Sequence, residues 1–277
     1  MVRRTSSNEK KAVVKKEETS LPAVYDYGEH SGAGFEGTSR EDFVVPFIYL
    51  LQAISPMVAE RDDAKAGMLV NTATGELFPA EEGKGDGIAF IPCYRQHLYV
   101  EWKPREAGGG FVAQHATDSD IVRHCRETQA FAEFKTPANN DLIETFYVYG
   151  LLVKPDGLID QVIIAFTSTK VKVYKQFMTR ADTIRIKTPS GGLVKPPIFA
   201  HRYRVTSVSQ KNTQGTFFNL RVNFDGDNAE AARLAPTDPI YQAAVQFYEL
   251  AKDGMLKVDT DSLKQESSTE GSSDIPF

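Results

Sequence analysis

Residues 170–221 combine cationic side chains with aromatic rings, and this combination suits the binding of a polyanion. The segment holds eleven Lys and Arg side chains and a single acid, Asp182, although the net charge of the whole chain is −5. So many like charges repel one another on a small surface unless an anion is the usual partner. Cations follow the phosphates of a nucleic acid, and flat rings stack on its bases. The segment therefore predicts a surface that contacts nucleic acid.

Alternation along strands decides which of these side chains can act together, because successive residues of a strand point to opposite faces. Arg202 and Arg204 share one face, and Phe217 and Arg221 share a face of the next predicted strand. The alternative is that the rings pack in the core while the cations form a solvated face. We predict that the following residues contact a nucleic-acid strand, with Trp102 as a separate stacking residue: Lys170, Lys172, Tyr174, Lys175, Arg180, Arg185, Lys187, Lys195, Arg202, Tyr203, Arg204, Phe217, Arg221 and Trp102.

Zinc-binding side chains also occur in the chain. Cys93 and His97 lie four residues apart, and His124 and Cys125 are adjacent. Together they make a Cys2His2 set, but their spacing differs from that of common zinc fingers and ribbons. Core thiols and surface imidazoles are the simpler interpretation. Since the sequence also lacks a P-loop, GxSxG, HExxH and a dinucleotide-binding glycine pattern, we predict no metal, no cofactor and no catalytic residue.

The elements that must position the basic segment are predicted to be mainly strands. Residues 145–168 have the pattern of a hairpin around the turn KPDG, and residues 199–224 that of a second hairpin around KNTQG. Residues 88–102 have the β-branched and aromatic content of a strand pair, and residues 111–115 form a short strand. Residues 173–187 are ambiguous between strand and helix. The predicted class is α+β, mainly β, and we favour an OB-like Greek-key barrel elaborated with helices.

Three helices are predicted from caps and apolar spacing. They cover residues 38–54, 120–134 and 238–254. In the last of these Asp238 is the N-cap, and Gly254 is placed to end the helix. Such helices would add to the strands without changing the mainly β class.

Composition divides the chain into three regions. Residues 1–37 are predicted to be a flexible arm, residues 38–254 an OB-like nucleic-acid-binding domain, and residues 255–277 a disordered acidic tail. No apolar run approaches the ~20 residues that a bilayer span needs, and the N-terminus lacks the apolar stretch of a secretory signal. The two cysteines suit a reducing compartment. We therefore expect a cytoplasmic protein with no membrane partner, and a homo-oligomer is compatible with the sequence.

The last residues of the chain carry a family resemblance. Asp274-Ile275-Pro276-Phe277 resembles the C-terminal tip of bacterial single-stranded-DNA-binding proteins and their phage-encoded counterparts. In that family a disordered acidic tail ends in a tip that recruits replication, recombination and repair proteins. A terminal Phe combines an apolar ring with a carboxylate, so a pocket with a basic rim can bind both. The resemblance implies that these residues form a docking tip, although one acid precedes Ile-Pro-Phe here and the family has several.

Taken together, these features predict sequence-independent binding of single-stranded DNA in replication, recombination or repair. The protein would be a phage-type, non-enzymatic protein of the bacterial host cytoplasm. Three alternatives stay open: a single-strand annealing or recombination-mediator protein, an adaptor that copies the docking tip without binding DNA, and a metal-dependent nuclease. The nuclease is disfavoured because the acids of the sequence form no recognisable two-metal cluster.

Overall fold

The computed structural model describes residues 28–39, 42–213 and 215–259. The chain divides into two compact units, Met1–Thr38 and Ser39–Phe277. In the first unit the described residues form a short 3-10 helix, Gly28–His30, followed by turns. The second unit contains the sheets and α-helices of the described chain. No helix among the described residues is long and apolar enough to cross a bilayer.

The second unit is built mostly from strands. In chain order they are β1 (Ile48–Leu50), β2 (Leu69–Asn71), β3 (Leu77–Phe78), β4 (Ile88–Trp102), β5 (Phe111–Ala116), β6 (Asp141–Val153), β7 (Ile159–Thr167), β8 (Ile186–Lys187), β9 (Leu193–Val194), β10 (Tyr203–Asn212) and β11 (Gly215–Phe224). The α-helices are α1 (Pro56–Glu60), α2 (Asp120–Thr128), α3 (Lys170–Thr183) and α4 (Pro239–Lys252). The predicted α+β, mainly β class is confirmed.

A six-stranded antiparallel sheet forms the centre of the fold, with the order β11-β10-β4-β6-β7 and with β5 beside β4. β4 pairs with β6 along one side, and along the other with β10 at its start and β5 at its end. Its sequence contains no Gly, Asn or Asp that would favour a turn, and Pro92, which has no N–H to donate, lies at a bulge. The strand pair predicted over residues 88–102 is therefore wrong, because this segment is one long strand.

A smaller sheet, with the order β1-β2-β3, joins the large sheet at two places. The Ile163 N–H of β7 donates to the Pro46 carbonyl at 2.9 Å, and the Ser207 N–H of β10 donates to the Ala80 carbonyl at 2.7 Å. Backbone hydrogen bonds thus run from β7 through the small sheet to β10. The two sheets share one apolar core, which includes Ile48, Leu69, Phe90, Val148, Phe166 and Val205.

Two helices cover other parts of the large sheet. α4 packs on its outer face, where Phe247 is buried among residues of β4, β6 and β7. The Asp238 side chain accepts a hydrogen bond from the Ile240 N–H at 2.8 Å, so the predicted N-cap of this helix is confirmed. α2 packs near the end of β4, where Cys125 and Tyr99 belong to one buried cluster.

Several local predictions change in the structure. The helix predicted over residues 38–54 is wrong, since its apolar residues form β1, which pairs with β2, and only the short α1 follows. A run this short does not separate a buried strand from a helix by periodicity alone. The ambiguous segment 173–187 is mostly helical, because it belongs to α3. α2 ends at Thr128, before the predicted end at residue 134.

The start of the predicted disordered tail is ordered on the domain. The Val45 N–H donates to the Lys257 carbonyl at 2.8 Å, and Val45 forms a parallel bridge with Val258. The tail that follows, including the predicted docking tip at residues 274–277, lies outside the described residues.

Candidate nucleic-acid interface

One face of the β10–β11 hairpin carries cations, amides and a ring. Residues directly opposite each other in an antiparallel pair lie on the same face of the sheet. On this face the register places Arg204 opposite Asn223, Thr206 opposite Arg221, Val208 opposite Asn219, and Gln210 opposite Phe217. From Arg204 to Gln210 the strand advances about 20 Å at ~3.4 Å per residue. The predicted grouping of Phe217 with Arg221 is therefore present, and Arg204 joins it.

Helix α3 borders this hairpin. Lys170, Tyr174 and Phe177 are buried, and their spacing is that of one helix face. The Arg180 guanidinium donates to the Asn223 side-chain oxygen at 2.9 Å, which connects the helix to the face just described. The helical conformation of this segment, and not the strand considered from sequence, thus brings Arg180 to the hairpin.

A shallow groove of about 140 Å³ lies between α3 and the hairpin. Its apolar lining consists of Val173, Val208, Leu220 and Val222, and its polar lining of Gln176, Arg180, Gln210 and Arg221. Guanidinium groups form paired hydrogen bonds to phosphate, and side-chain amides both donate and accept. Sequence reasoning missed the two glutamines. Gln176 reaches the groove only because its segment is helical, which the sequence left open. Gln210 could have been found from the strand register, because it lies opposite Phe217 on the same face of the hairpin.

Ion pairs neutralise part of the predicted positive surface. Arg221 pairs with Glu82 at 2.6 Å, and Arg202 and Arg204 both pair with Asp225. Arg221 and Glu82 are about a third to a half exposed, so water screens that pair and it contributes little to stability. Asp225, the partner of Arg202 and Arg204, is only 12% exposed. A phosphate can therefore replace Glu82 at Arg221 at small cost, whereas replacing Asp225 would leave a nearly buried carboxylate without its partners.

The other cations of the segment differ in whether a carboxylate lies beside them. Lys195 pairs with Asp182, and together with the nearby Arg185 it holds the pKa of the Asp182 carboxyl below its usual range. Within the described part of the chain, no carboxylate oxygen lies within 4.0 Å of the following predicted site residues: Lys172, Lys175, Arg180, Arg185 and Lys187. The available positive charge thus lies along α3 and in the segment that follows it.

Two predicted stacking rings lie in the core, and those predictions are wrong. Tyr174 is 4% exposed and Tyr203 is 1% exposed, so neither ring can stack on a base in this structure. Tyr203 packs edge-on against Phe177 with 4.9 Å between ring centroids, because it lies on the hairpin face that points inward. Tyr174 lies on the buried face of α3. Phe217 keeps partial exposure and is the ring that remains on the candidate face.

The remaining predicted residues are not part of this groove. Arg185, Lys187 and Lys195 belong to the small β8–β9 arm, on which Leu193 is 65% exposed. Trp102 is half-buried and packs edge-on against Phe111 at the end of β4, whereas β10 pairs with the start of β4. The structure therefore separates the tryptophan from the hairpin face by most of a long strand.

The residues considered for zinc are not assembled. Cys93 and Cys125 belong to separate apolar clusters, and each thiol donates to a backbone carbonyl. Burial raises the pKa of both thiols, which disfavours the thiolate form that binds metals. In the described ranges no three His, Cys, Asp or Glu side chains lie close enough together to hold a metal ion.

Comparison with known protein families matches most of the chain. The model of a family described as Pam3 phage gp34-like protein aligns with residues 15–257. The chain belongs to this family. The description names a phage protein, in agreement with the phage association predicted from the sequence, while kinship with single-stranded-DNA-binding proteins stays a prediction. No curated protein and no solved structure shows significant similarity to the chain.

Proposed function

We propose that this gp34-like chain binds single-stranded DNA through the groove between α3 and the β10–β11 hairpin. The observation that carries the proposal is the grouping of Arg180 and Arg221 with side-chain amides and with Phe217 on one surface. Lys172 and Lys175 add exposed positive charge on the neighbouring helix. Phosphate binding and ring stacking need no particular base, so binding of this kind is independent of sequence.

A single strand suits this surface better than a duplex does. The amides and the Phe217 ring can reach base edges and faces only where the bases are unpaired and unstacked. A duplex would leave them without partners and would use the cations alone. The chain as a whole is acidic, with a net charge of −5, which opposes the approach of a second phosphate backbone outside the groove.

The finer fold and the biological setting belong to the same proposal. The continuous path of pairing from β7 through the small sheet to β10 supports an OB-like barrel, an architecture that commonly binds single strands. We further propose a role in phage replication, recombination or repair in the host cytoplasm. Partner proteins would be recruited by residues 274–277, as the tail resemblance implies.

Fluorescence anisotropy on labelled oligo-dT and a matching duplex, across a salt series, tests the proposal. We expect salt-sensitive binding to oligo-dT and much weaker binding to the duplex. The double variant Arg180→Gln/Arg221→Gln should lower the slope of log K against log salt by about 0.7 for each phosphate neutralised by one of these arginines. The matched control is Arg123→Gln/Lys252→Gln, which removes two exposed cations on α2 and α4 and should leave the slope unchanged.

Two results would overturn the proposal. Absence of oligo-dT binding at low salt would reject DNA binding and favour an adaptor that acts through Phe277. Equal weakening of binding in the groove variant and in the control would show that general charge, not the groove, holds the strand. Rapid pairing of complementary strands would instead indicate annealing, and magnesium-dependent cleavage would indicate a nuclease.

The acidic tail is proposed to compete with DNA for the same cations. Removal of residues 260–277 deletes a segment with more acids than bases, so it should tighten binding to oligo-dT at low salt. Unchanged affinity after this truncation would reject the competition without affecting the groove proposal.

A further inference from the structure

Three rings, one each from β4, β6 and α3, form a column. The Phe146 ring is nearly parallel to the Tyr174 ring on one side and to the His97 imidazole on the other, with 4.2 Å between centroids in both cases. Phe146 and Tyr174 are buried, whereas the His97 side chain is 32% exposed. We call this set the His97 column. It starts in the core and ends at the surface in an aromatic ring.

The imidazole at the end of the column is held in place. Its Nε2 lies 3.0 Å from a carboxylate oxygen of Glu144, and Phe146 covers one ring face. Tyr99 is a second neighbour, with 6.1 Å between ring centroids and a tilt of 32°, so a stacking ring could use only the part of the imidazole that stays exposed. A flat π surface with a fixed orientation loses little conformational entropy when another ring stacks on it.

A guanidinium group lies next to this exposed ring. Arg95 is exposed and precedes His97 by two residues on β4, so both side chains lie on the same face of the strand, opposite Val148 and Phe146 of β6. Burial raises the pKa of the Tyr174 hydroxyl, and the positive charge of the nearby Arg95 guanidinium acts in the opposite direction. The Arg95 guanidinium therefore lies near Tyr174 of the column, on the strand face that also carries His97.

We propose that the His97 column is a second nucleotide-binding site, at which a base stacks on the His97 ring and its phosphate pairs with Arg95. A partly exposed ring with an exposed guanidinium on the same strand face fits a nucleotide, because a base supplies the flat partner and a phosphate the anion. This inference rests on the proposed function, since the ligand is taken to be one nucleotide of a bound single strand.

Helix α3 connects the column to the groove. Tyr174 of the column and Arg180 of the groove lie on the same helix, about 9 Å apart along its axis at ~1.5 Å per residue. Lys172 and Lys175 are exposed on that helix. Tyr174 and Arg180 are also about 120° apart around the helix at 3.6 residues per turn. One strand would therefore have to cross the exposed side of α3, where Lys172 and Lys175 lie, to reach both sites.

The test compares His97→Ala and His97→Phe with the unsubstituted full chain in oligo-dT binding by anisotropy. Removal of one stacked base should weaken binding by about 5- to 150-fold in His97→Ala, while His97→Phe keeps a flat ring and should retain binding within about 3-fold. An oligonucleotide with abasic positions throughout should abolish the difference between the two variants. Arg95→Gln should lower the salt slope by about 0.7, as expected for one phosphate contact.

The outcomes separate this inference from the function on which it rests. If the unsubstituted chain does not bind oligo-dT, both proposals fail together. A second outcome is that the unsubstituted chain binds oligo-dT and that Arg180→Gln/Arg221→Gln weakens this binding. If His97→Ala then binds as tightly as the unsubstituted chain, the groove proposal stands and the His97 column is rejected as a binding site. Equal weakening by His97→Ala and His97→Phe, with unchanged thermal unfolding of both, would also reject stacking. Crosslinking of a 5-iodouracil oligonucleotide to the peptide that contains residues 95–97 would support it directly.

Discussion

Replacement of Glu101 should destabilise the fold strongly, because its carboxylate joins both neighbours of β4. The side chain is 8% exposed. One oxygen accepts hydrogen bonds from the Thr136 hydroxyl at 3.0 Å and the Asn140 amide at 2.7 Å, and the other lies 2.8 Å from Nε2 of His115. His115 is in β5, and Thr136 and Asn140 lie directly before β6. The network thus holds the far end of the large sheet together.

The size of the effect follows from these contacts. A hydrogen bond to a charged group contributes about 1.5–3 kcal/mol, and donors left unpaired in a buried site add their desolvation cost. For Glu101→Ala we therefore expect a decrease of about 3–5 kcal/mol in the free energy of unfolding. Glu101→Gln keeps the side-chain volume and one oxygen for Thr136 and Asn140, so its expected decrease is about 1–2 kcal/mol.

The effect should also depend on pH. Burial raises the pKa of Glu101, but hydrogen bonds from Asn140, His115 and Thr136 outweigh it, and the net pKa lies below its usual value. A carboxyl whose pKa is lower in the folded state contributes stability above its unfolded pKa of about 4.3 and loses it as pH falls through the folded pKa. The stability difference between the parent and Glu101→Gln should therefore narrow below about pH 4.

Urea unfolding followed by circular dichroism at pH 7 and at intervals down to pH 3 measures both effects. Glu144→Ala is the matched control, because that carboxylate is also on the sheet but has one side-chain contact, to His97. We expect it to cost at most about 1 kcal/mol. Equal unfolding midpoints for the parent and Glu101→Ala, or a Glu101→Gln difference that stays constant as pH falls, would contradict the reasoning.

Three further predictions follow from packing. A Cβ on Gly150 would lie 2.4 Å from the Phe90 ring, so Gly150→Ala should cost about 3 kcal/mol in thermal unfolding, whereas the control Gly192→Ala should cost little. Asp238→Ala removes the cap of α4 and should lower stability by about 1 kcal/mol, and an unshifted urea midpoint would count against the cap. Cys93 is buried and its pKa is raised, so a thiol reagent should modify it only on unfolding, and rapid reaction of the native chain would disprove its burial.

Elements with local signals were predicted correctly. The β6–β7 and β10–β11 hairpins were predicted because turn residues separate two runs of β-branched and aromatic residues. α4 was predicted because Asp238 marks its start, Gly254 is placed to end it, and apolar residues recur at helical spacing. In these cases the residues that decide the conformation lie within a few positions of one another.

Elements that depend on distant partners were not predicted. The residues of β1 appeared helical, and their strand conformation follows from pairing with β2. The start of β4 pairs with β10, which lies more than a hundred residues later in the chain, and nothing near residue 88 indicates this. The ordered position of Val258 likewise depends on Val45, far away in sequence.

The candidate site shows the same division. By itself the sequence determined that residues 170–221 are strongly basic, that Phe217 and Arg221 share a strand face, and that the chain ends in Asp-Ile-Pro-Phe, because these properties follow from composition and alternation. Only the tertiary structure decided that Tyr174 and Tyr203 are buried, that Arg204 is paired with Asp225, and that Gln176 and Arg180 reach the hairpin. The exposure of a ring or a cation depends on what packs against it, and those neighbours come from elements far apart in the chain.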